Sequence, residues 1–373
     1  MEGIAMPELM QTVDMLTVKG TCYTPLPKDE VQCNACAHAC IIKPGHRGVC
    51  RMRINRGGEL WVPFGYVTAA QPDPIEKKPF MHFLPGSIAL TFGMLGCNFH
   101  CDFCQNWISS QTFKDDAAQV PLEAVRKISA EELVSLALRH GAQVLVSSYN
   151  EPIITVEWAV EVFRLAKQAG LKTAIVSNGY ASAASLELLL PYLDGFKIDL
   201  KAFRNTSYRI LGGSLQPVQD SIKRAHEAGL WVEVVTLLVP GFNDEPAEIR
   251  AAAEYIASVS MDIPWHLTAY YPAYLQQDAP PTTPKQLQEA AAIGQEVGLH
   301  YVYAGNRPGK VGSLEDTFCP HCQMLLIKRR GYNITEYHIS ARGTCEACDT
   351  PIAGIWTDKP EAVKLGANIL SYL

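Results

Sequence analysis

Residues 88–107 read IALTFGMLGCNFHCDFCQNW, an apolar run that ends in three closely spaced cysteines. Ile88–Leu95 predicts a buried strand stopped at Gly96. Cys97, Cys101 and Cys104 follow directly, in the spacing Cys-x3-Cys-x2-Cys. Three thiolates on one loop can hold three corners of a cubane. No fourth cysteine lies nearby in the sequence, so one iron would lack a protein ligand. Electron-transfer cubanes usually have four cysteines. An iron left open is a place where a substrate can bind, which makes such a loop catalytic. The plainer alternative is a zinc loop or a redox-sensitive cysteine patch.

Strand and helix alternate outward from this loop. Further strands are predicted at Val144–Tyr149, Thr173–Val176, Gly195–Leu200, Leu230–Val239, Trp265–Tyr271 and Tyr301–Ala304. Helices are predicted between them at Ser129–His140, Val156–Ala169, Ala183–Leu190, Val218–Ala228, Ala247–Val259 and Lys285–Val297. Ser129 and Glu132 form a capping-box pattern at the first. Units repeating at roughly 30 residues imply parallel strands joined by right-handed crossovers. Six units are too few for a closed eight-fold barrel, which leaves a doubly wound sheet or a partial barrel. Polar residues cluster just past five consecutive strands: the cysteine loop, Asn150 and Glu151, Ser177 and Asn178, Asp199 and Lys201, then Pro240 and Gly241. Barrel enzymes build their sites at that end.

The cysteine loop with these strand ends resembles the radical S-adenosylmethionine (SAM) superfamily, which is related to pyruvate formate-lyase activating enzymes. DPIEKKPF at 73–80, FLPGS at 83–87, CQNW at 104–107, YNEP at 149–152 and YAGN at 303–306 are most similar to the AmmeMemoRadiSam-system radical SAM proteins, over nearly the whole chain. The resemblance implies a partial (β/α)6 TIM-like barrel. It implies a [4Fe-4S] cluster on Cys97, Cys101 and Cys104, whose open iron chelates SAM. Reduction of the sulfonium then yields a 5′-deoxyadenosyl radical that abstracts hydrogen from a substrate. By the same resemblance Phe103 packs near the adenine and Glu151 binds the SAM ammonium. Ser177 and Asn178 lie near the ribose and carboxylate, Asp199 accepts ribose hydroxyls, and Lys201 holds the carboxylate. Tyr149 and Asn150 stand where the family has glycines, and Ala269 stands where the family often has an arginine. A one-electron donor such as flavodoxin or ferredoxin is implied; the substrate, a small molecule or a protein, is left open. The IDLK and VPGF segments favour a glycyl-radical-enzyme activase as the alternative, and a non-catalytic iron–sulfur electron carrier is the second.

Two more cysteine groups flank this core, so eleven of twelve cysteines fall in three clusters. Cys33, Cys36, Cys40 and Cys50 suit zinc or an auxiliary iron–sulfur cluster, with no metal as the third option. Cys319, Cys322, Cys345 and Cys348 form two Cys-x-x-Cys pairs, a zinc-ribbon signal with rubredoxin-type iron as runner-up. The leftover Cys22 reads as a small buried residue. These groups set three expected regions: a Cys-rich metal-binding region at 1–84, the radical SAM barrel at 85–309, and a zinc-ribbon-like domain at 310–373. For His82, His100 and His266 packing is the plainer reading, and for Lys77 and Lys78 a solvated turn. The net charge of −6, without a basic stripe, argues against nucleic-acid binding. The lack of a long apolar run or a secretory signal sets the expectation of an anaerobic, cytoplasmic oxidoreductase without a membrane partner.

Overall fold

The computed structural model describes residues 6–366. Its centre is one eight-stranded sheet. The strands are β1 (Ala69–Pro74), β2 (Ile88–Gly93), β3 (Val144–Ser147), β4 (Lys172–Ser177), β5 (Gly195–Asp199), β6 (Trp231–Leu238), β7 (Trp265–Ala269) and β8 (Val302–Gly305). Pairing from β2 through β8 is parallel throughout. Spatial order follows chain order without a reversal. A doubly wound sheet reverses at a switch point, so that alternative does not describe this chain. The strands are apolar runs because helices cover them: all four residues of β3 are buried.

The connecting helices form where the sequence predicts them. Ala130–Arg139 starts on a capping box, with Ser129 and Glu132 each bonded to the other's backbone. Val156–Gln168 buries Trp158, Val162 and Phe163 on one face. Among the described residues no helix is long and apolar enough to cross a membrane.

Strand β1 departs from expectation. It pairs antiparallel to β2, from Ala69 opposite Gly93 to Pro74 opposite Ile88. Pro72 and Pro74 argue against a strand because they donate no ladder hydrogen bond; at a sheet edge that loss is tolerated. The expected region 1–84 is therefore not wholly outside the sheet. Six of its remaining strands form two small three-stranded antiparallel sheets, and Tyr66–Val67 pairs antiparallel with Arg126–Lys127. Buried Arg53 ties them to the core, bonding Glu157 at 2.6 Å and the Ile154 carbonyl at 3.0 Å. At the other end Thr317–Phe318, Leu325–Arg330 and Asn333–Tyr337 form an antiparallel sheet of three.

Buried Glu233 on β6 fastens the segment before β2. One oxygen accepts from Met81 N at 2.9 Å and His266 Nε2 at 2.6 Å; the other accepts from His82 N and Trp231 Nε1, each at 2.9 Å. His82 is packed, with Tyr303 Oη at 2.6 Å and the Ala353 carbonyl at 2.7 Å. Burial lowers its pKa to about 4.

Glu76 is buried with less support. Gly86 N reaches Oε1 at 2.7 Å, while Oε2 has no partner. Burial pushes its pKa from 4.5 to about 7, against the pull of Arg329. Between those values the folded protein holds a proton that the unfolded chain has lost, so stability falls as pH rises through the window. The cost at neutral pH is about 3 kcal/mol. Glu76→Gln is expected to flatten the pH dependence of the urea midpoint over this window; an unchanged slope would refute a raised Glu76 pKa.

Candidate functional site

The cysteine loop leaves β2 through Gly96, whose φ is +89° and whose N–H bonds the Ser109 carbonyl at 2.9 Å. A Cβ there would sit 2.3 Å from the Met52 side chain, so glycine is required on steric as well as conformational grounds. The loop is braced from behind. Lys114 Nζ donates to the carbonyls of Cys97 at 2.7 Å and Phe99 at 3.1 Å, and Gln111 Nε2 also reaches Phe99 O at 3.1 Å. Two sulfurs have polar neighbours: Phe99 N donates to Cys97 Sγ at 3.3 Å, and Ser110 Oγ lies 3.3 Å from Cys104 Sγ.

Burial raises the Cys97 and Cys101 thiols, the latter to about 12. Thiols so buried lose their protons to a metal rather than to water. Among the described residues these three sulfurs are not drawn within 4.8 Å of one another. That spacing suits ligands that each bind a different iron. The donor set thus fits a three-cysteine cluster.

Strand ends β3 and β4 meet at Glu151. Its Oε1 accepts from Ser177 Oγ at 2.6 Å and Ile153 N at 3.0 Å, and its Oε2 from Asn178 N at 2.9 Å. Its own N–H reaches the Gly96 carbonyl at 3.2 Å. A carboxylate has about four acceptor positions, so one is left for a ligand. Burial pushes the Glu151 pKa up, opposed by these donors. Asn178 continues the chain of contacts, with Nδ2 at 2.7 Å from Asn98 Oδ1 and 3.8 Å from Cys97 Sγ.

At the end of β5, Asp199 lies between two cations, Lys197 and Lys201, the latter at 3.0 Å. Burial raises the Asp199 pKa, but the two ammonium groups outweigh it and hold it near 2. Lys201 is depressed by burial yet raised overall, chiefly by Asp199. Lys197 escaped the sequence reading, although Lys197, Asp199 and Lys201 recur at the period-2 spacing of one strand face. Phe103 packs edge-on against Phe242, 5.3 Å between centroids. Phe242 lies in the VPGFND turn after β6. Asn243 of that turn donates to the Lys201 and Leu237 carbonyls at 2.7 and 2.8 Å, joining the ends of β5 and β6.

Other expectations resolve separately. Lys78 is buried rather than solvated, bonding Asp73 at 2.8 Å and lying over the Tyr149 ring at 4.7 Å. His266 is taken by Glu233, and His100 packs against Gly212. Cys22 is buried, its thiol pushed up to about 12 by burial. In the C-terminal group Cys319, Cys322, Cys345 and Cys348 hold all four sulfurs within 4.8 Å of one another, a set able to bind a metal. Cys33, Cys36, Cys40 and Cys50 are neighbours but are not gathered so tightly.

The fold and site define an α/β protein with a cysteine loop and buried charged residues gathered at the ends of parallel strands. A model of the Radical SAM superfamily matches residues 92–253. The uncharacterized protein MJ0808 of Methanocaldococcus jannaschii is 34% identical over 333 residues, covering 88% of this chain and 97% of its own. A pyruvate formate-lyase-activating enzyme of Clostridium pasteurianum is 26% identical over 183 residues, 47% of this chain and 71% of that enzyme. Among solved structures, a domain of pyruvate-formate lyase-activating enzyme from Bacteroides vulgatus is similar at 20% identity and a TM-score of 0.38, over 43% of this chain and 98% of that one. This chain belongs to the radical SAM superfamily and is a radical SAM enzyme. Membership implies a [4Fe-4S] cluster, SAM and a reductant.

Glu151→Gln places an amide where backbone and hydroxyl donors converge. The expected cost is about 1–3 kcal/mol, read as a lower Tm in the metal-free protein. An unchanged Tm would show that the carboxylate does not hold the strand ends together.

Proposed function

We propose that Cys97, Cys101 and Cys104 hold the [4Fe-4S] cluster and that the strand ends beside them bind SAM. The observation that carries this reading is the continuous contact path from Glu151 through Asn178 to Cys97 Sγ. When bound, the cluster supplies the electron that breaks the C5′–S bond of SAM and so generates the 5′-deoxyadenosyl radical. This chain's residues bind and orient. Phe103 and Phe242 offer an aromatic wall for the adenine. Ser177 and Asn178 face the ribose side, and Glu151 keeps one acceptor position for the ammonium. Asp199 meets ribose hydroxyls while Lys201 pairs with the carboxylate.

The sheet on this reading curls into a partial (β/α)6 barrel spanning about 85–309, with β1 added at its edge. Both edge strands line one cavity of ≈ 310 Å³: Pro74 from β1 and Ala304 and Gly305 from β8. Its wall also includes Glu76, Thr268 and Arg330. Thr268 and Gly305 lie towards the strand ends that carry the cysteine loop, while Pro74 opposes Ile88 at the other end of the sheet, and on this reading the cavity between them seats the substrate. An external one-electron carrier of the flavodoxin or ferredoxin class reduces the enzyme.

The C-terminal quartet is assigned to structural zinc in a ribbon-like domain. Cys319 and Cys348 sulfurs are 3.6 Å apart, and those of Cys322 and Cys345 3.7 Å. A tetrahedron with Zn–S of about 2.3 Å has an edge of about 3.8 Å. All four positions are then filled by sulfur, which leaves none for substrate. Cys345→Ser is expected to remove about one zinc per chain and to lower Tm; retention of full zinc would reject the assignment.

The central test is anaerobic. Reconstituted protein with SAM and dithionite is expected to release 5′-deoxyadenosine, and Cys101→Ser to release none. Reduction of the cluster without nucleoside release would mark an electron carrier and overturn the reading.

A further inference from the structure

The N-terminal cysteines stand against the central loop rather than apart from it. Cys33, Cys36 and Cys50 are buried and Cys40 is half-buried. Cys36 forms a β-bridge with Ala181, and Ala37 N donates to the Tyr180 carbonyl at 3.1 Å. Tyr180 and Ala181 lie just past Asn178 at the end of β4, so this segment is seated on the same strand end as the candidate SAM site.

Asn98 occupies the space between the two cysteine sets. It is fully buried and follows Cys97 directly. Its carbonyl lies 3.1 Å from His38 Nε2, two residues beyond Cys36. Its Oδ1 accepts from Asn178. Its Nδ2 has no hydrogen-bond partner. Leaving a buried amide donor unmade is costly. The thiol beside it is Cys36, two residues before the His38 that Asn98 holds through its carbonyl. Lys114 is shared in the same way. Its Nζ holds the Cys97 and Phe99 carbonyls and also lies near Cys50 of the other set.

The sulfur spacing separates the two metal chemistries. Cys33 N donates to the Cys40 carbonyl at 2.9 Å, and Cys36 and Cys50 lie near them, so the four are neighbours. Yet among the described residues only the C-terminal quartet gathers its sulfurs within 4.8 Å, the packing that one tetrahedral ion demands. A wider set suits a cluster in which each sulfur meets its own iron. Zinc has no redox chemistry, and nothing about a structural zinc calls for a buried amide and a shared ammonium between it and the catalytic loop.

We propose that Cys33, Cys36, Cys40 and Cys50 hold a second, fully ligated [4Fe-4S] cluster in electron-transfer contact with the central one through Asn98. The relay role rests on the central cluster proposed above; the site itself does not. A low-potential carrier of the ferredoxin or flavodoxin class gives this cluster one electron and is oxidised by one. The cluster passes that electron to the central one and returns to its starting state, with no proton moved. Four cysteine ligands leave no open iron, which fits a relay rather than a substrate site.

The test is metal and sulfide analysis of the anaerobically purified full chain, with electron paramagnetic resonance of the reduced protein. About eight iron, about eight sulfide and about one zinc per chain are expected. A variant with Cys97, Cys101 and Cys104 all changed to Ser is expected to keep about four iron and a reducible cluster signal. About four iron with about two zinc in the unaltered chain would overturn the proposal and leave the central cluster standing. An unchanged iron count in the triple variant would instead sink the central assignment. Asn98→Leu removes the N–H beside Cys36, so the second cluster's reduction potential is expected to fall at constant iron content. No shift would remove Asn98 from the path.

Discussion

The site depends on one buried carboxylate. Glu151 receives three hydrogen bonds from its own strand end and the next, and its backbone holds the residue before Cys97. Burying a charge is costly unless donors surround it. Here the donors are the backbone and side chains whose placement shapes the loop. Because Asn178 is fixed by Glu151, its amide is in turn available to Asn98 and Cys97. Orientation of the cysteine loop is thus inherited from a single well-satisfied group at the strand ends.

The same device attaches the flanking regions. Arg53 with Glu157 anchors the N-terminal sheets to the helix Val156–Gln168, and Glu233 gathers Met81, His82, Trp231 and His266 around one carboxylate. Breaking such a buried pair by removing one partner typically costs about 3–5 kcal/mol. Their contribution is therefore to register. They hold the N-terminal sheets and the segment around Met81 and His82 in place against the central sheet, where apolar packing alone would tolerate sliding.

Much of the framework was legible beforehand because it is written in local patterns. The apolar runs marked all seven parallel strands, and Ser129 with Glu132 marked a helix start that the structure reproduces. Strand β1 was missed because Pro72 and Pro74 disguise an edge strand. Lys78 was misjudged because charge near a turn reads as solvated unless its partner is seen, and Tyr149, which it covers, is 71 residues away. Glu233 gave no signal at all: it lies in an apolar strand, and its partner His82 is 151 residues distant.

By itself the sequence determined the chemistry at hand: three thiols on one loop, two more cysteine sets, and polar residues after successive strands. Those are short-range facts, set by covalent spacing and by the periods of helix and strand. Only the tertiary structure decided which of these groups are neighbours. Asn98 and Lys114 gain their place between two cysteine sets through contacts across the chain that no local spacing encodes, because burial and pairing of distant residues depend on how the whole sheet closes and what it packs against.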